Sequence, residues 1–170
     1  LEASPQRVAP LCGYFGVCGG CSLQHQATEA QIAMKQEILA DVLRRIGGVA
    51  PDGWLPPLTA EHWGYRRKAR LGVRYVAKKG KPLVGFRERG SGFLADLSRC
   101  EVLHPDVGER LQALATLVDG LSIRDQVPQI EIAKGDGPCV LVFRVLATPS
   151  AEDLTSLEVF AAAHPVRIYL

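Results

Sequence analysis

Tyr65-Arg-Arg-Lys-Ala-Arg-Leu-Gly-Val-Arg-Tyr-Val76 alternates charged and apolar residues, and a period of two marks a strand with one buried face. In a strand, Arg66, Lys68, Arg70 and Arg74 point one way while Ala69, Leu71, Val73 and Tyr75 point the other. Ala77-Lys-Lys-Gly-Lys-Pro82 then reads as a hairpin turn into Leu83-Val-Gly-Phe-Arg87. Downstream, Gln129-Ile-Glu-Ile-Ala133 and Val140-Leu-Val-Phe-Arg-Val145 form a second hairpin across Gly135-Asp-Gly-Pro138, and Val166 to Leu170 is a last strand.

The helical signals fall between these strands. Gln24 to Ile46 puts Ile32, Ile38, Leu39, Val42, Leu43 and Ile46 on one stripe, and Gly47-Gly48 stops it. Prolines 51, 56 and 57 make 49–61 an extended connection. Pro105 opens a helix whose apolar face is Val107, Leu111, Leu114, Val118 and Leu121. Ser150, with Asp153 three residues on, starts another that ends at His164-Pro165. The predicted order is helix, two strands, helix, two strands, helix, strand. The fold class is therefore α+β, a mainly antiparallel sheet with packed helices, preceded by a cysteine loop.

At 170 residues, 47% hydrophobic and 22% charged, the chain can bury one ordinary core. A formal net charge of +2 gives the molecule no overall electrostatic character, so its distribution matters more. Between Arg66 and Arg89 stand Arg66, Arg67, Lys68, Arg70, Arg74, Lys78, Lys79, Lys81, Arg87 and Arg89, against the single acid Glu88. A solvated strand face is one reading of this run. Arginines at such density point instead to phosphate contacts. There is neither an apolar signal segment nor a membrane-length run, and with five cysteines, an odd number, a cytoplasmic protein is expected.

The cysteines carry the chemistry. Cys12-Gly-Tyr-Phe-Gly-Val-Cys18-Gly-Gly-Cys21 brings three thiols together, and a fourth, Cys100, follows Leu97-Ser98-Arg99. Thiolates gathered at one point repel unless a soft cation takes up their charge, so iron-sulfur or zinc is expected over a pair of disulfides. Structural zinc usually takes two short pairs, whereas three ligands plus a remote fourth is commoner for four-iron clusters. The spacing C-x5-C-x2-C and the fourth cysteine both depart from the radical-SAM pattern. Gly19 and Gly20 are expected to let the backbone turn there, often with positive φ. Cys139, inside an apolar strand, is expected in the core. His25 follows the cysteine loop, within reach of a cluster or RNA, while His62, His104 and His164 have the look of structural residues.

The cysteine stretch continued to His25, with Trp63-Gly-Tyr-Arg-Arg-Lys-Ala-Arg-Leu71, Val84-Gly-Phe-Arg87 and Cys100-Glu-Val-Leu-His-Pro105, resembles the iron-sulfur-containing RNA uracil-5-methyltransferases. The resemblance implies a central domain, residues 10–170 with a helix over 24–46 and a sheet region over 65–170. It also implies an absent N-terminal TRAM domain, which residues 1–9 would leave, and an absent C-terminal methyltransferase domain. It implies Cys12, Cys18, Cys21 and Cys100 as ligands of a [4Fe-4S] cluster, 23S ribosomal RNA as partner, and S-adenosylmethionine bound by the absent domain. The family's nucleophilic cysteine, cofactor pocket and carboxylate base lie in that absent domain, so no catalytic residue and no activity are expected in this chain alone. The expected RNA contacts are Tyr65, Arg66, Lys68, Arg70, Arg74, Arg87 and Arg89.

A different class of function, a free-standing electron-transfer or metal-sensing module, would turn the basic patch toward a protein. An apolar strand as the last element favours the first reading, in which a longer protein continues past it.

Overall fold

A computed structural model describes residues 2–170 of the chain; Leu1, which opens the segment expected to leave a TRAM domain, lies outside the described residues. The elements run α1 (Thr28–Arg45), β1 (Lys68–Val76), β2 (Lys81–Gly85), α2 (Pro105–Gly108), α3 (Leu111–Gly120), β3 (Gln129–Ala133), β4 (Cys139–Arg144), α4 (Ala151–Ala163) and β5 (Val166–Tyr169). They form one five-stranded sheet in the order β2-β1-β3-β4-β5, antiparallel except for β4 with β5, which the crossover through α4 makes parallel. The α+β expectation, the element order and both hairpins hold.

Period-two alternation fixes the register. Leu71 stands opposite Ile130, Ile130 opposite Phe143, and Ile132 opposite Leu141, all buried. Leu111, Leu114 and Val118 of α3 join this face in one core, each essentially free of solvent contact. Burying such a side chain contributes about 1.5–3 kcal/mol, so this layer accounts for most of the fold's cohesion. On the opposite face, Gly72 and Gly85 are directly paired across β1 and β2. A Cβ at Gly72 would come 2.6 Å from Leu94, and one at Gly85 2.9 Å from Leu97, so the glycine pair forms the trough in which both leucines lie.

Three local expectations change. The helix expected from Pro105 to Leu121 breaks at Glu109–Arg110 into α2 and α3: the Gly108 carbonyl accepts from the Cys100 amide and the Gln112 amide donates to Ser98 O, in place of the helical bond between them. The first helix begins at Thr28, after a turn, rather than at Gln24. Its apolar stripe is real, but none of its residues is buried, and Ile38, Leu39, Val42 and Ile46 all face solvent. The turn after β1 is a short 3-10 helix, Ala77–Lys79, closed by Gly80 at φ 64°, and Pro82 is accommodated because β2 is an edge strand.

α4 starts with the expected capping box, Ser150 Oγ accepting from the Asp153 amide at 3.1 Å and the Asp153 carboxylate from the Ser150 amide at 2.9 Å. Asp153 does more than cap. It is buried, and it also accepts from the Ser122 amide at 2.7 Å and the Ser122 hydroxyl at 2.6 Å, tying α4 to the end of α3. The Ser122 hydroxyl, aided by the surrounding amides, holds this carboxyl below the ordinary carboxylate range. A depressed folded-state pKa adds stability above the unfolded value, near pH 4, and that stability disappears as pH falls through the folded value. Asp153→Ala should cost about 3 kcal/mol at pH 7. In urea titrations the gap between variant and parent should narrow at pH 3; an undiminished gap would remove the charge from the explanation.

Candidate metal centre

The loop from Cys12 to Cys21 folds through successive turns, Phe15 N–H donating to Cys12 O at 3.0 Å and Cys18 N–H to Tyr14 O at 2.9 Å. Positive φ is used at Gly16, +96°, and not at Gly19 or Gly20. Those two glycines answer to crowding instead: a Cβ would stand 3.0 Å from Arg87 O at Gly19 and 3.2 Å from the Phe86 ring at Gly20. The loop is clipped to the segment after β2, Gly19 N–H donating to Arg87 O at 2.8 Å and Arg89 N–H to Val17 O at 2.7 Å. On its other side Tyr14 Oη meets Ser98 Oγ at 2.7 Å, two residues before Cys100.

Cys100 is fixed from two directions. Its amide donates to Gly108 O at 2.8 Å, while the residues just after it pair with the approach to β1, Gly64 N–H on Glu101 O at 2.9 Å and Arg66 N–H on Val102 O at 2.8 Å. The result is one small cavity that Cys12, Cys18, Cys21 and Cys100 all line, closed by Phe86 and Leu97. Among the described residues, no three His, Cys, Asp or Glu side chains stand close enough together to hold a single metal ion.

The donor set fits a soft, positively charged group. Burial pushes both the Cys18 and Cys100 thiols up, and the neighbouring cysteines push them further; the Gly20 amide at 3.4 Å from Cys18 Sγ opposes this. Bare, these thiols stay protonated, and only a cation among them makes the thiolates favourable. Cys139 is different: fully buried, its thiol raised chiefly by burial, with Sγ 3.7 Å from Ala133 O. It is a core residue and lacks the character of a nucleophile.

The basic run does not stay together. Lys68, Arg70 and Arg74 are exposed at alternate positions of β1, as alternation required. Arg66 departs from them: it precedes the strand, donates to Gly20 O at 3.3 Å and lies 5.4 Å from the Phe86 ring centroid, so it braces the cysteine loop. Tyr65 and Arg66 line a groove beside Cys21 together with Lys35, His62 and Trp63. Arg87 and Arg89 sit past the end of β2, where Arg87 donates to Gly92 O at 2.7 Å. Acids distant in sequence temper the run: Asp96 takes Lys79 at 2.7 Å and Lys81 at 2.8 Å, and Glu131 faces Arg70 across the sheet.

Sequence reasoning missed Arg99, which lines the cavity while pairing with Glu101 at 2.6 Å, as well as Phe86 and Gly108. Only the stretch around Cys100 hinted at the first. Of the histidines, His104 caps α2, accepting from the Asp106 amide at 3.3 Å, and His164 lies 4.3 Å from the Phe160 ring, both structural roles. His25 lies 5.5 Å from the Phe15 ring, with a buried Nδ1 that has no partner.

No family model matches the chain. Curated relatives do, over its whole length: it is 53% identical to a protein of Methylococcus capsulatus, 53% to one of Nitrosococcus oceani and, over 99% of its residues, 54% to one of Alkalilimnicola ehrlichii. The similarity to these three proteins extends over essentially the whole of this chain. The three relatives each carry the name 23S rRNA (uracil(1939)-C(5))-methyltransferase RlmD, and the chain spans 38% of their length.

Proposed function

We propose that this chain is the central part of an S-adenosylmethionine-dependent 23S rRNA uracil-C5 methyltransferase, cytoplasmic, folded around a [4Fe-4S] cluster and helping to hold the RNA for a methyltransferase domain elsewhere in the protein. Among the described residues no helix is long and apolar enough to cross a membrane. The observation that carries the proposal is the convergence of Cys100 with Cys12, Cys18 and Cys21 on one cavity, across a long stretch of sequence. A cluster bound there supplies iron–sulfur bonds that tie residues 12–21 to the loop before α2. Its role is structural, since moving a methyl group from a sulfonium to a uracil activated by covalent addition requires no net electron. TRAM and methyltransferase domains would complete the protein, and the methyltransferase domain would bind the methyl donor.

Anaerobic purification followed by iron and sulfide analysis tests the centre. About four of each per chain is expected. One zinc without sulfide would overturn it.

The RNA contacts are assigned to Tyr65, Arg66, Lys68, Arg70, Arg74, Arg87 and Arg89. Lys68→Ala, Arg70→Ala and Arg74→Ala combined should weaken binding about equally for all RNA sequences. For single strands, the slope of log affinity against log salt should fall by about 2, at roughly 0.7 for each phosphate no longer neutralised. An unchanged slope and affinity would leave these three as a solvated face.

A further inference from the structure

The helices cover one side of the sheet, α3 packing over β2 and α4 beside β5, with their apolar residues in the common core. The other side is covered along β2 and at the adjoining Gly72, where Leu83 is buried and Leu94 and Leu97 lie over the glycine pair. Over the rest of the sheet its residues are exposed or half-buried, and the register sets them in rows. Lys68, Ala133, Val140 and Arg167 form one row, and Arg70, Glu131, Val142 and Tyr169 the next. Gly72, Gln129 and Arg144 form a third.

The charge in these rows is arranged and not scattered. Lys68, Arg70 and Arg74 line the β1 side, and Arg144 and Arg167 the far side, all exposed. Lys68 and Arg167 stand three strand spacings apart, about 14 Å. Between them lie Ala133 and the half-buried Val140 and Val142, which carry no charge. The one acid, Glu131, is occupied, accepting from Gln129 Nε2 at 3.1 Å and Arg144 Nε at 2.9 Å on the same oxygen. Tyr169, 52% exposed, ends the second row.

Two cationic margins flanking a partly apolar floor, whose single carboxylate is paired with Arg144, with an aromatic ring at one end, suit a polyanion that also has flat apolar faces to bury. A duplex offers phosphates but keeps its bases stacked inside; an acidic protein segment has no use for the floor. We propose that this face of the sheet binds single-stranded RNA, its phosphates along Lys68, Arg70, Arg144 and Arg167 and its bases over Val140, Val142 and Tyr169. The inference rests on the RNA-binding reading above and extends it to β4 and β5, which that reading leaves out.

Fluorescence anisotropy with a labelled twelve-nucleotide single-stranded RNA and its duplex, over a salt series, tests it on the 170-residue chain. Arg144→Glu with Arg167→Glu should weaken single-strand binding at least tenfold and flatten the salt slope by at least about 1.4, the share of two phosphates. Tyr169→Ala should weaken it about 5- to 150-fold with the slope unchanged, as removal of one stacking platform predicts. All three positions are exposed, and circular dichroism checks that the fold persists. If these variants bind like the parent while Lys68→Ala with Arg70→Ala binds more weakly, the face inference fails and the RNA-binding reading stands. If the parent chain binds neither RNA, both fail. Equal affinity for duplex and single strand overturns the assignment to single strands.

Discussion

Replacing Cys100 by alanine is expected to strip the chain of its cluster: iron and sulfide fall from about four per chain to well below one, and the visible absorbance goes with them. Alanine is the informative substitution because a serine oxygen remains a possible ligand. The effect on the fold should be local and large. Between residues 10 and 25 no side chain is fully buried, so the cysteine loop has no core of its own. Its attachments are partial packing of Tyr14 and Cys18 on the core and a few hydrogen bonds, chiefly those joining Gly19 to Arg87, Arg89 to Val17 and Tyr14 to Ser98, each bond worth about 1 kcal/mol net. Metal–thiolate bonding is worth on the order of 10 kcal/mol in small sites, and on the proposed reading it would be the dominant restraint here. Limited proteolysis should therefore cut the Cys100→Ala chain within 10–25 while the sheet persists, because Leu71, Ile130 and Phe143 are fully buried in the common core with α3, whereas only Tyr14 and Cys18 of the loop touch that core, both partly exposed. Cys139→Ala is the control: a small loss of stability from a smaller core side chain, with the iron retained. Full iron in Cys100→Ala, with loss in Cys12→Ala, would mean three protein ligands and overturn the four-cysteine site.

Much of this fold is legible in the sequence because its cause is local. Alternation in β1, β3 and β4 is a statement about neighbouring residues, and the backbone obeys it; so do the stripe of α3 and the Ser150–Asp153 box. What escapes has causes distant in sequence. Arg66 follows the alternation on paper, yet the strand begins at Lys68, and Gly20 O with the Phe86 ring draws its side chain toward the loop. The cationic run reads as almost unopposed because Asp96 and Glu131 come from other segments. Gly19 and Gly20 stand out in the sequence for backbone freedom, whereas the actual constraint is the neighbouring Arg87 carbonyl and Phe86 ring. For α1, periodicity predicts the stripe and says nothing of its partner, and its apolar residues stay exposed. The four cysteines are legible as a set from spacing and thiolate chemistry. Their meeting in one cavity depends on the packing of Gly108 against the Cys100 loop, which no local pattern encodes.

That packing yields the second large effect. Gly108 is buried where α2 ends, and a Cβ there would collide with the Cys100 carbonyl oxygen and stand 2.9 Å from the Leu103 carbonyl oxygen and 3.2 Å from Leu103 Cβ. The obstacles are mainly backbone, which cannot rotate away as a side-chain tip can. The Cys100 amide also donates to Gly108 O, so a displacement at one residue is transmitted to the other. Gly108→Ala should cost about 3 kcal/mol from overpacking and, by shifting Cys100 relative to the 12–21 loop, should lower iron content although every cysteine remains. Gly120→Ala makes the same chemical change at the exposed end of α3, where a Cβ meets nothing within 4 Å. There alanine should stabilise by about 0.5–1 kcal/mol, through helix propensity and a less flexible unfolded chain. Urea unfolding and iron analysis of the two variants should therefore diverge in sign and in metal content. If Gly108→Ala folds with parental stability and a full complement of iron, the Cys100 loop is free to move, and close packing against α2 is not what holds the fourth ligand in place.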